Sequence, residues 1–246
     1  MFNHNNKFRV ILILFFWSVL LYSTVNIGIY INEWYSNKKV SGRLSEIYHQ
    51  SDITKIVDIN TPKQNTERFK ELLDINKDVV GWIKIPGTKI DYPVVQADNN
   101  QFYLNHNINK EISSHGSIFM DYRSSQDEEL NTVIYGHNMK DGSMFAGLSQ
   151  YKKADFYENN PYIEYDSLGQ SMKWQIFSIY IYQPNDDYFK VYFNDSKEYT
   201  KYLDEINLKS IYNTGVVVTE EDKILTLMTC SYESNDSRLV IHAKRV

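Results

Sequence analysis

The stretch VVGWIKIPGTKIDYPVV, residues 79–95, sets the pattern for most of this chain. Two short runs rich in β-branched and aromatic residues, Val79–Ile85 and Ile90–Val95, flank the pair Pro86-Gly87. Such runs are typical of β-strands, and a Pro-Gly pair is typical of the turn between them. Further runs predict strands at Ser117–Met120, Thr132–Tyr135, Tyr162–Tyr165, Met172–Tyr182, Val216–Val218, Ile224–Thr229 and Leu239–Lys244.

Many short strands with few helices are typical of a closed barrel or a sandwich. One helix interrupts the series after Asp195, which can cap it, with Glu198 three residues later. A shorter amphipathic helix is predicted over Thr66–Asn76. The longer helix is indicated by apolar residues at helical spacing, namely Tyr199, Tyr202, Leu203 and Ile206.

The composition excludes several classes of protein. Of the 246 residues, 42% are hydrophobic and 23% are charged, as in ordinary globular proteins. The net charge of −5 provides no overall basic field, so we expect no nucleic-acid partner. A single cysteine excludes a disulfide scaffold and a multi-cysteine zinc site within one chain.

The N-terminal segment predicts a membrane anchor. Val10–Asn32 carries no charge and is long enough to cross a bilayer as a helix. Lys7 and Arg9 precede it and favour a cytoplasmic N-terminus. A cleaved signal peptide is the alternative, but its apolar core should be shorter and end in small residues, whereas Leu21–Tyr30 contains no alanine.

These features predict four regions along the chain. Residues 1–9 form a cytoplasmic tail, and residues 10–32 form the transmembrane signal anchor. Residues 33–65 form a juxtamembrane helix followed by a linker around Pro62. Residues 66–246 form a folded domain on the extracellular face of the cell membrane.

The lone Cys230 ends a predicted strand and is a candidate nucleophile. Thiols outside the cytoplasm oxidise, so an unpaired cysteine there calls for a functional hypothesis. Burial as a small hydrophobic residue is the alternative. Arg238 opens the next strand and could stabilise an oxyanion, because a guanidinium carries five donors; a surface charge beside Asp236 is the other interpretation.

A nucleophilic cysteine needs a base, and the chain offers six histidines. His137 follows the strand Thr132–Tyr135 and is modestly favoured by that position. His106 and His115 lie in polar segments and are expected to be solvated. His242 lies within the last strand and could face either side of it.

Taken together, these residues resemble the sortases, the cysteine transpeptidases of Gram-positive cell surfaces. TLMTC at 226–230 matches the family's T-L-x-T-C, and Arg238 matches the arginine of its next strand. The family histidine matches His137 within NTVIYGHNM at 131–139. Residues 79–95 and the helix near Asp195–Leu208 resemble the class B branch.

The resemblance implies a mostly-β fold, a closed sortase-type barrel of about eight strands with N-terminal helices and one helix inserted before the cysteine strand. It implies that Cys230 attacks the threonine carbonyl of a sorting motif of the N-P-x-T-x or L-P-x-T-G kind, forming a thioester. His137 acts as general acid and base, and Arg238 stabilises the oxyanion. An amine of peptidoglycan or of its lipid-linked precursor then releases the secreted protein, and no metal or cofactor is expected.

Substrate contacts are also carried over from class B. Asn100 and Leu104 are expected to line the peptide groove, and Met228, Thr229 and Ser231 flank the thiol. For Tyr188 and Tyr192, packing is favoured over groove lining. Asp127-Glu128-Glu129 is a calcium candidate, although a solvated loop is favoured.

Two other functions remain open from the residues alone. A membrane-tethered cysteine hydrolase would use the same side chains with water as the acceptor. A surface-anchored β-domain that binds the cell wall or another protein would leave Cys230 buried and chemically idle.

Overall fold

The computed structural model describes residues 4–53, 68–125, 129–182, 189–230 and 238–246. The chain divides into two compact units, Met1–Arg43 and Leu44–Val246. Helix α1 spans His4–Ile53. The predicted linker at Asn60–Asn65 lies outside the described residues.

Helix α1 carries the apolar N-terminal segment. Among the described residues, Lys7–Gln50 is the one helical stretch long and apolar enough to cross a membrane, with a peak mean hydropathy of 2.2 and none of that window buried. Large apolar side chains such as Phe16 and Trp17 are about two-thirds exposed. A lipid environment would cover such a surface, so the helix is compatible with a single-pass anchor.

The second unit is a closed barrel of eight strands in the order β1-β2-β3-β4-β7-β8-β6-β5, which confirms the predicted fold class. The pairs β2–β3 and β4–β7 are parallel, and the remaining pairs are antiparallel. The strands are β1 (Val79–Lys84), β2 (Asp91–Val95), β3 (Ile118–Met120), β4 (Asn131–Gly136), β5 (Tyr162–Ser167), β6 (Ser171–Tyr182), β7 (Ile224–Cys230) and β8 (Arg238–Arg245).

The predicted strand at Val216–Val218 is wrong. This segment is irregular, and Val217 is 74% exposed. Because β7 already pairs with β4 on one side and β8 on the other, the closed barrel offers no edge for a ninth strand. The segment is held from its N-terminal end, where Thr214 Oγ1 donates to the Phe177 carbonyl over 2.8 Å.

Short helices connect the strands. The predicted helix before β7 is confirmed as α4 (Ser196–Leu208), and Asp195 caps it by accepting from the Glu198 N–H over 2.8 Å. The predicted helix after residue 66 is confirmed over Lys70–Ile75, as α2. The sequence did not predict a 3₁₀ helix at Phe145–Lys152 or helix α3 at Ala154–Asn159.

Two apolar clusters stabilise the barrel, and alternation along β7 divides its residues between them. Leu225 and Leu227 point into the barrel interior. Ile224 and Met228 point outward, into a second cluster beneath α4. The second cluster thereby fixes α4 against the outer face of β7.

Candidate active site

Three neighbouring strands bring the predicted catalytic residues to one end of the barrel. Strands β4 and β7 run parallel, with Gly136 opposite Thr229, so the next residues are His137 and Cys230. Strand β8 runs antiparallel to β7, and Arg238 lies opposite Cys230. The backbones at His137, Cys230 and Arg238 therefore lie side by side, although the residues are distant in sequence.

The structure describes some of the residues around Cys230 and not others. Met228 and Thr229 are buried on β7, and Arg238 is half-buried and lies opposite Tyr182 of β6. The Cys230 side chain and residues 231–237, which include Ser231, lie outside the described part. Tyr188 does so as well.

The His137 ring is oriented by a backbone carbonyl. Its Nε2 lies 2.8 Å from the Leu104 oxygen. A carbonyl can only accept, so Nε2 carries the proton, and in the neutral ring Nδ1 is the basic nitrogen. Leu104, predicted as a substrate contact, thus contributes its main chain to positioning the histidine.

Gly116 allows this carbonyl to lie where it does. Its φ of +55° is in the left-handed region, and a Cβ there would approach the Leu104 oxygen to 2.5 Å. A side chain at this position would displace the loop on which His137 depends.

The prediction that His115 is solvated is wrong. Only 2% of the residue is exposed, and its Nε2 lies 3.0 Å from Asp141 Oδ2. Burial raises the pKa of Asp141, but hydrogen bonds from Ser143 and the contact with His115 bring it below its ordinary value. The pair ties the segment before β3 to the connection that follows His137.

His106 is also not simply solvated. It is half-buried, and its ring stacks on Phe102 with the centroids 4.2 Å apart. Its Nδ1 lies 2.7 Å from the Phe102 carbonyl oxygen. The ring therefore belongs to the packed loop that precedes β3.

Asn100 belongs to a hydrogen-bond network that the sequence did not predict. Its Nδ2 donates over 3.0 Å to Asp121, whose carboxylate is fully buried and also accepts from the Tyr135 hydroxyl at 2.8 Å. Arg123 donates to both Asp121 oxygens, at 2.9 and 2.8 Å. Burial raises the pKa of Asp121, but these donors hold it below its ordinary value. A lone aspartate after a short strand carried no sequence signal for this role.

Tyr192 does not pack as predicted. It is 62% exposed, and its hydroxyl donates to the Arg123 carbonyl over 2.5 Å. The hydroxyl thereby links the segment before α4 to the Asp121 network.

A second network lies buried beneath α4. His242 is fully buried, with the Tyr180 hydroxyl 3.0 Å from Nε2 and Thr226 Oγ1 2.8 Å from Nδ1. The Thr226 hydroxyl donates its proton to Asn131 Oδ1 over 2.7 Å, so towards His242 the Thr226 oxygen can only accept, from Nδ1–H. Nε2 of His242 is then unprotonated and accepts from the Tyr180 hydroxyl. Asn131 in turn donates to the Lys190 carbonyl at 2.8 Å, which fixes the chain leading into α4.

This network predicts acid sensitivity. Burial, with a smaller contribution from Lys209, lowers the pKa of His242 from 6.5 to about 3. Between these pH values the unfolded chain binds a proton that the folded chain does not, so the free energy of unfolding falls as pH falls, by about 1.4 kcal/mol per pH unit. Chemical denaturation between pH 3 and pH 7 measures this slope. We expect His242→Gln to remove the part of this slope that His242 contributes, whereas His106→Gln should leave that part unchanged. Equal slopes in the wild type and both variants would contradict the assignment of the slope to His242.

Within the described residues, no group of three or more histidine, cysteine, aspartate or glutamate side chains could hold a metal ion. Two residues of the calcium candidate, Asp127 and Glu128, lie outside the described ranges. Glu129 Oε2 accepts from the Ser125 N–H over 3.2 Å. This contact makes Glu129 part of its own loop.

Comparison with known proteins identifies the family to which this fold belongs. The Sortase domain family matches residues 83–246. Sortase B of Listeria monocytogenes is 36% identical over 231 residues, which cover 93% of this chain and 92% of the relative. Sortase B of Staphylococcus aureus is 41% identical over 180 residues, which cover 72% and 74%. The structure of a Staphylococcus aureus sortase B–substrate complex gives a TM-score of 0.79 at 36% identity, covering 87% of this chain and 98% of that one.

The chain therefore belongs to the sortase family of cysteine transpeptidases, and within it to class B. Sortases are cell-surface enzymes whose substrates are proteins with sorting signals and peptidoglycan. The family match covers strands β2 to β8 and the end of β1, so it includes the three strand ends described above.

Proposed function

We propose that this protein cleaves a C-terminal sorting motif of secreted proteins between threonine and the next residue and joins them, through a thioester, to an amine of peptidoglycan or of its lipid-linked precursor. Cys230 is the nucleophile, His137 the general acid and base, and Arg238 the oxyanion stabiliser. The observation that carries the proposal is the register of β4, β7 and β8, which places these three backbone positions side by side.

The first half of the reaction forms the acyl-enzyme. The Cys230 thiolate attacks the threonine carbonyl carbon, a C–S bond forms, and the oxygen becomes an oxyanion. Arg238 donates hydrogen bonds to that oxygen. When the oxyanion collapses, the C–N bond breaks and the departing amine takes a proton from His137.

The second half transfers the acyl group. The acceptor amine attacks the thioester carbonyl, and His137 takes a proton from the attacking nitrogen. A new C–N bond forms, the C–S bond breaks, and the thiolate is restored. The net change is one amide exchanged for another, so the reaction needs neither an oxidant nor a reductant.

The Leu104 carbonyl supports the role given to His137. Because Nε2 is engaged with this carbonyl at 2.8 Å, we assign both proton transfers to Nδ1. A ring held by one nitrogen keeps its orientation while the other nitrogen exchanges protons.

For the peptide groove we propose Asn100, Leu104, Met228, Thr229 and Ser231. Asn100 is supported by its hydrogen bond to Asp121, which fixes the orientation of the Asn100 amide. The same carboxylate accepts from Tyr135 of β4, the strand that His137 follows. A prepositioned amide can donate to a backbone carbonyl of an extended peptide at little entropic cost.

We further propose the four regions predicted from the sequence, with residues 10–32 as a single-pass anchor and residues 66–246 as the extracellular catalytic domain. The exposed apolar surface of α1 supports this arrangement. Tethering would keep the active site close to lipid-linked acceptors and to proteins emerging from the membrane.

The full-length chain in neutral detergent micelles tests the proposal. Fluorogenic peptides carrying N-P-x-T-x and L-P-x-T-G motifs are incubated with and without a glycine-based amine, and the products are identified by mass spectrometry. We expect cleavage after threonine, an enzyme thioester of matching mass, and ligated product that increases with amine. Cleavage with no ligated product at any amine concentration would instead establish a hydrolase, and no cleavage of a peptide library would refute the proposal.

A further inference from the structure

One buried carboxylate, that of Asp121, lies between the predicted peptide contact Asn100 and the strand that leads to His137. None of its side chain is exposed. Its Oδ2 accepts from Asn100 Nδ2 at 3.0 Å and from the Tyr135 hydroxyl at 2.8 Å. Tyr135 comes two residues before His137, so a single oxygen atom joins Asn100 to the end of β4.

All the groups that the structure describes as bonding to this carboxylate are donors. Arg123 donates to Oδ1 from its backbone N–H and from Nε, both at 2.9 Å, and to Oδ2 from Nη2 at 2.8 Å. With the bonds from Asn100 and Tyr135, five hydrogen bonds reach the two oxygens. An ionised carboxylate only accepts, so this environment fits the charged form of Asp121 and does not fit an amide of the same shape.

The carboxylate also determines how the Asn100 amide is oriented. Nδ2 of Asn100 points at Asp121, and Oδ1 accepts from the Tyr122 N–H over 3.0 Å. Both ends of the amide are therefore anchored, and turning it over would place its oxygen against a carboxylate oxygen. Asp121 uses one N–H of the half-buried Asn100, and the second N–H is the donor that this side chain can offer to a ligand.

The network lies close to the proposed site of acyl transfer. Tyr135 is opposite Met228 of β7, two residues before Cys230, just as it is two residues before His137 on β4. An extended peptide advances about 3.3 Å per residue. Residues next to the reacting threonine of a sorting motif would therefore pass within reach of this network.

We propose that Asp121 is a positioning residue for the sorting peptide, which holds the Asn100 amide with an N–H donor directed at a backbone carbonyl of that peptide. This inference rests on the proposed function and deepens it by naming a residue that sets the affinity for the peptide. Asp121 acts through Asn100 and does not touch the reacting atoms. Its loss should therefore weaken peptide binding and leave the chemical steps at Cys230 intact.

Asp121→Asn tests the inference, because it keeps the shape of the side chain and removes its charge and one acceptor. With the full-length chain in neutral micelles, we expect KM for the cleaved sorting peptide to rise about tenfold while kcat changes less than about twofold. Fluorescence anisotropy of a labelled peptide with Cys230→Ala protein, with and without Asp121→Asn, should show the same loss as a change in Kd.

A double-mutant cycle separates positioning from general damage to the barrel. In an Asn100→Ala background, Asp121→Asn should have little further effect on KM, because the amide that it orients is gone. If the thermal unfolding midpoint shows that Asp121→Asn does not fold, Tyr135→Phe takes its place in the cycle. Tyr135→Phe removes one of the bonds that fix the carboxylate and should raise KM about threefold.

Asp166→Asn is the matched control. Asp166 likewise accepts from an arginine, Arg68 at 3.0 Å, and from a tyrosine hydroxyl, that of Tyr48. It lies opposite Ser171 at the start of β6, whereas the other end of β6, at Tyr182, pairs with the start of β8 beside the proposed site. The substitution should therefore leave KM for the sorting peptide unchanged.

Four results would overturn the inference. They are an unchanged KM in the folded variant, a fall in kcat without a rise in KM, an equal rise in KM with and without the Asn100 amide, and an equal rise in Asp166→Asn. In each case, wild-type cleavage through a thioester leaves the proposed function standing. A wild-type chain that cleaves no sorting peptide would instead refute the proposed function, and this inference with it.

Discussion

Cys230→Ala should reduce both peptide cleavage and amine ligation by at least about 10⁴-fold, because no other side chain can form the thioester. The chain contains one cysteine, so the substitution removes all thiol chemistry. A steady-state assay with fluorogenic peptide measures the loss. Intact-protein mass spectrometry should show the acyl-enzyme for the wild type and none for the variant.

The single cysteine also provides the control for this experiment. Methanethiosulfonate should label the native wild-type chain once, inactivate it in parallel, and leave Cys230→Ala unlabelled. The thermal unfolding midpoint of the variant shows whether the barrel is intact. Substantial turnover by a folded Cys230→Ala protein would eliminate the thioester mechanism, and a native thiol that resists labelling would favour a buried cysteine in a binding domain.

Arg238→Lys should lower kcat/KM for the sorting peptide by about 100-fold. The substitution keeps the charge but replaces a planar group of five donors by an ammonium with three, so the oxyanion loses a fixed, directional donor. Arg238 is half-buried at the start of β8, between Tyr182 and Cys230, where the backbone register allows little adjustment. A loss in kcat larger than the change in KM would indicate an effect on the transition state.

Arg245→Lys is the matched control, because Arg245 ends the same strand at an exposed position and bonds to Gln170 over 2.8 Å. It should retain nearly normal activity. A normal rate for Arg238→Lys, or equal losses in both variants, would remove Arg238 from the oxyanion role.

Much of the barrel could be predicted from local sequence. Short apolar runs such as Ile224–Thr229 mark strands because both faces of β7 are buried, one in the barrel interior and the other beneath α4. The cap at Asp195 predicted α4 for an equally local reason. The 3₁₀ helix was missed because its buried residues, Phe145, Leu148 and Tyr151, recur every third residue rather than with α-helical spacing.

The errors concern information that is not local. Val216–Val218 has the composition of a strand, but whether a strand forms depends on a free edge, and the closed barrel has none there. His115 is buried, and its polar partner 3.0 Å away is Asp141, which lies 26 residues further along the sequence. Neither the missing edge nor the distant partner can be seen in a window of neighbouring residues.

For the candidate site, position in the sequence favoured His137 only modestly over His115, and the family resemblance then pointed to His137. The structure separates them physically: His115 is bonded to Asp141, whereas His137 follows β4 beside the end of β7. The Asp121 and His242 networks needed coordinates, because each joins several segments through side-chain contacts.

The position of β8 has a consequence for biosynthesis. This last strand inserts between β6 and β7, so a nascent chain that lacks it has an open sheet and no Arg238 beside Cys230. The barrel can therefore close only after residues 238–245 have been synthesised. Until then the edges of β6 and β7 are open, and they can pair with strands of other chains.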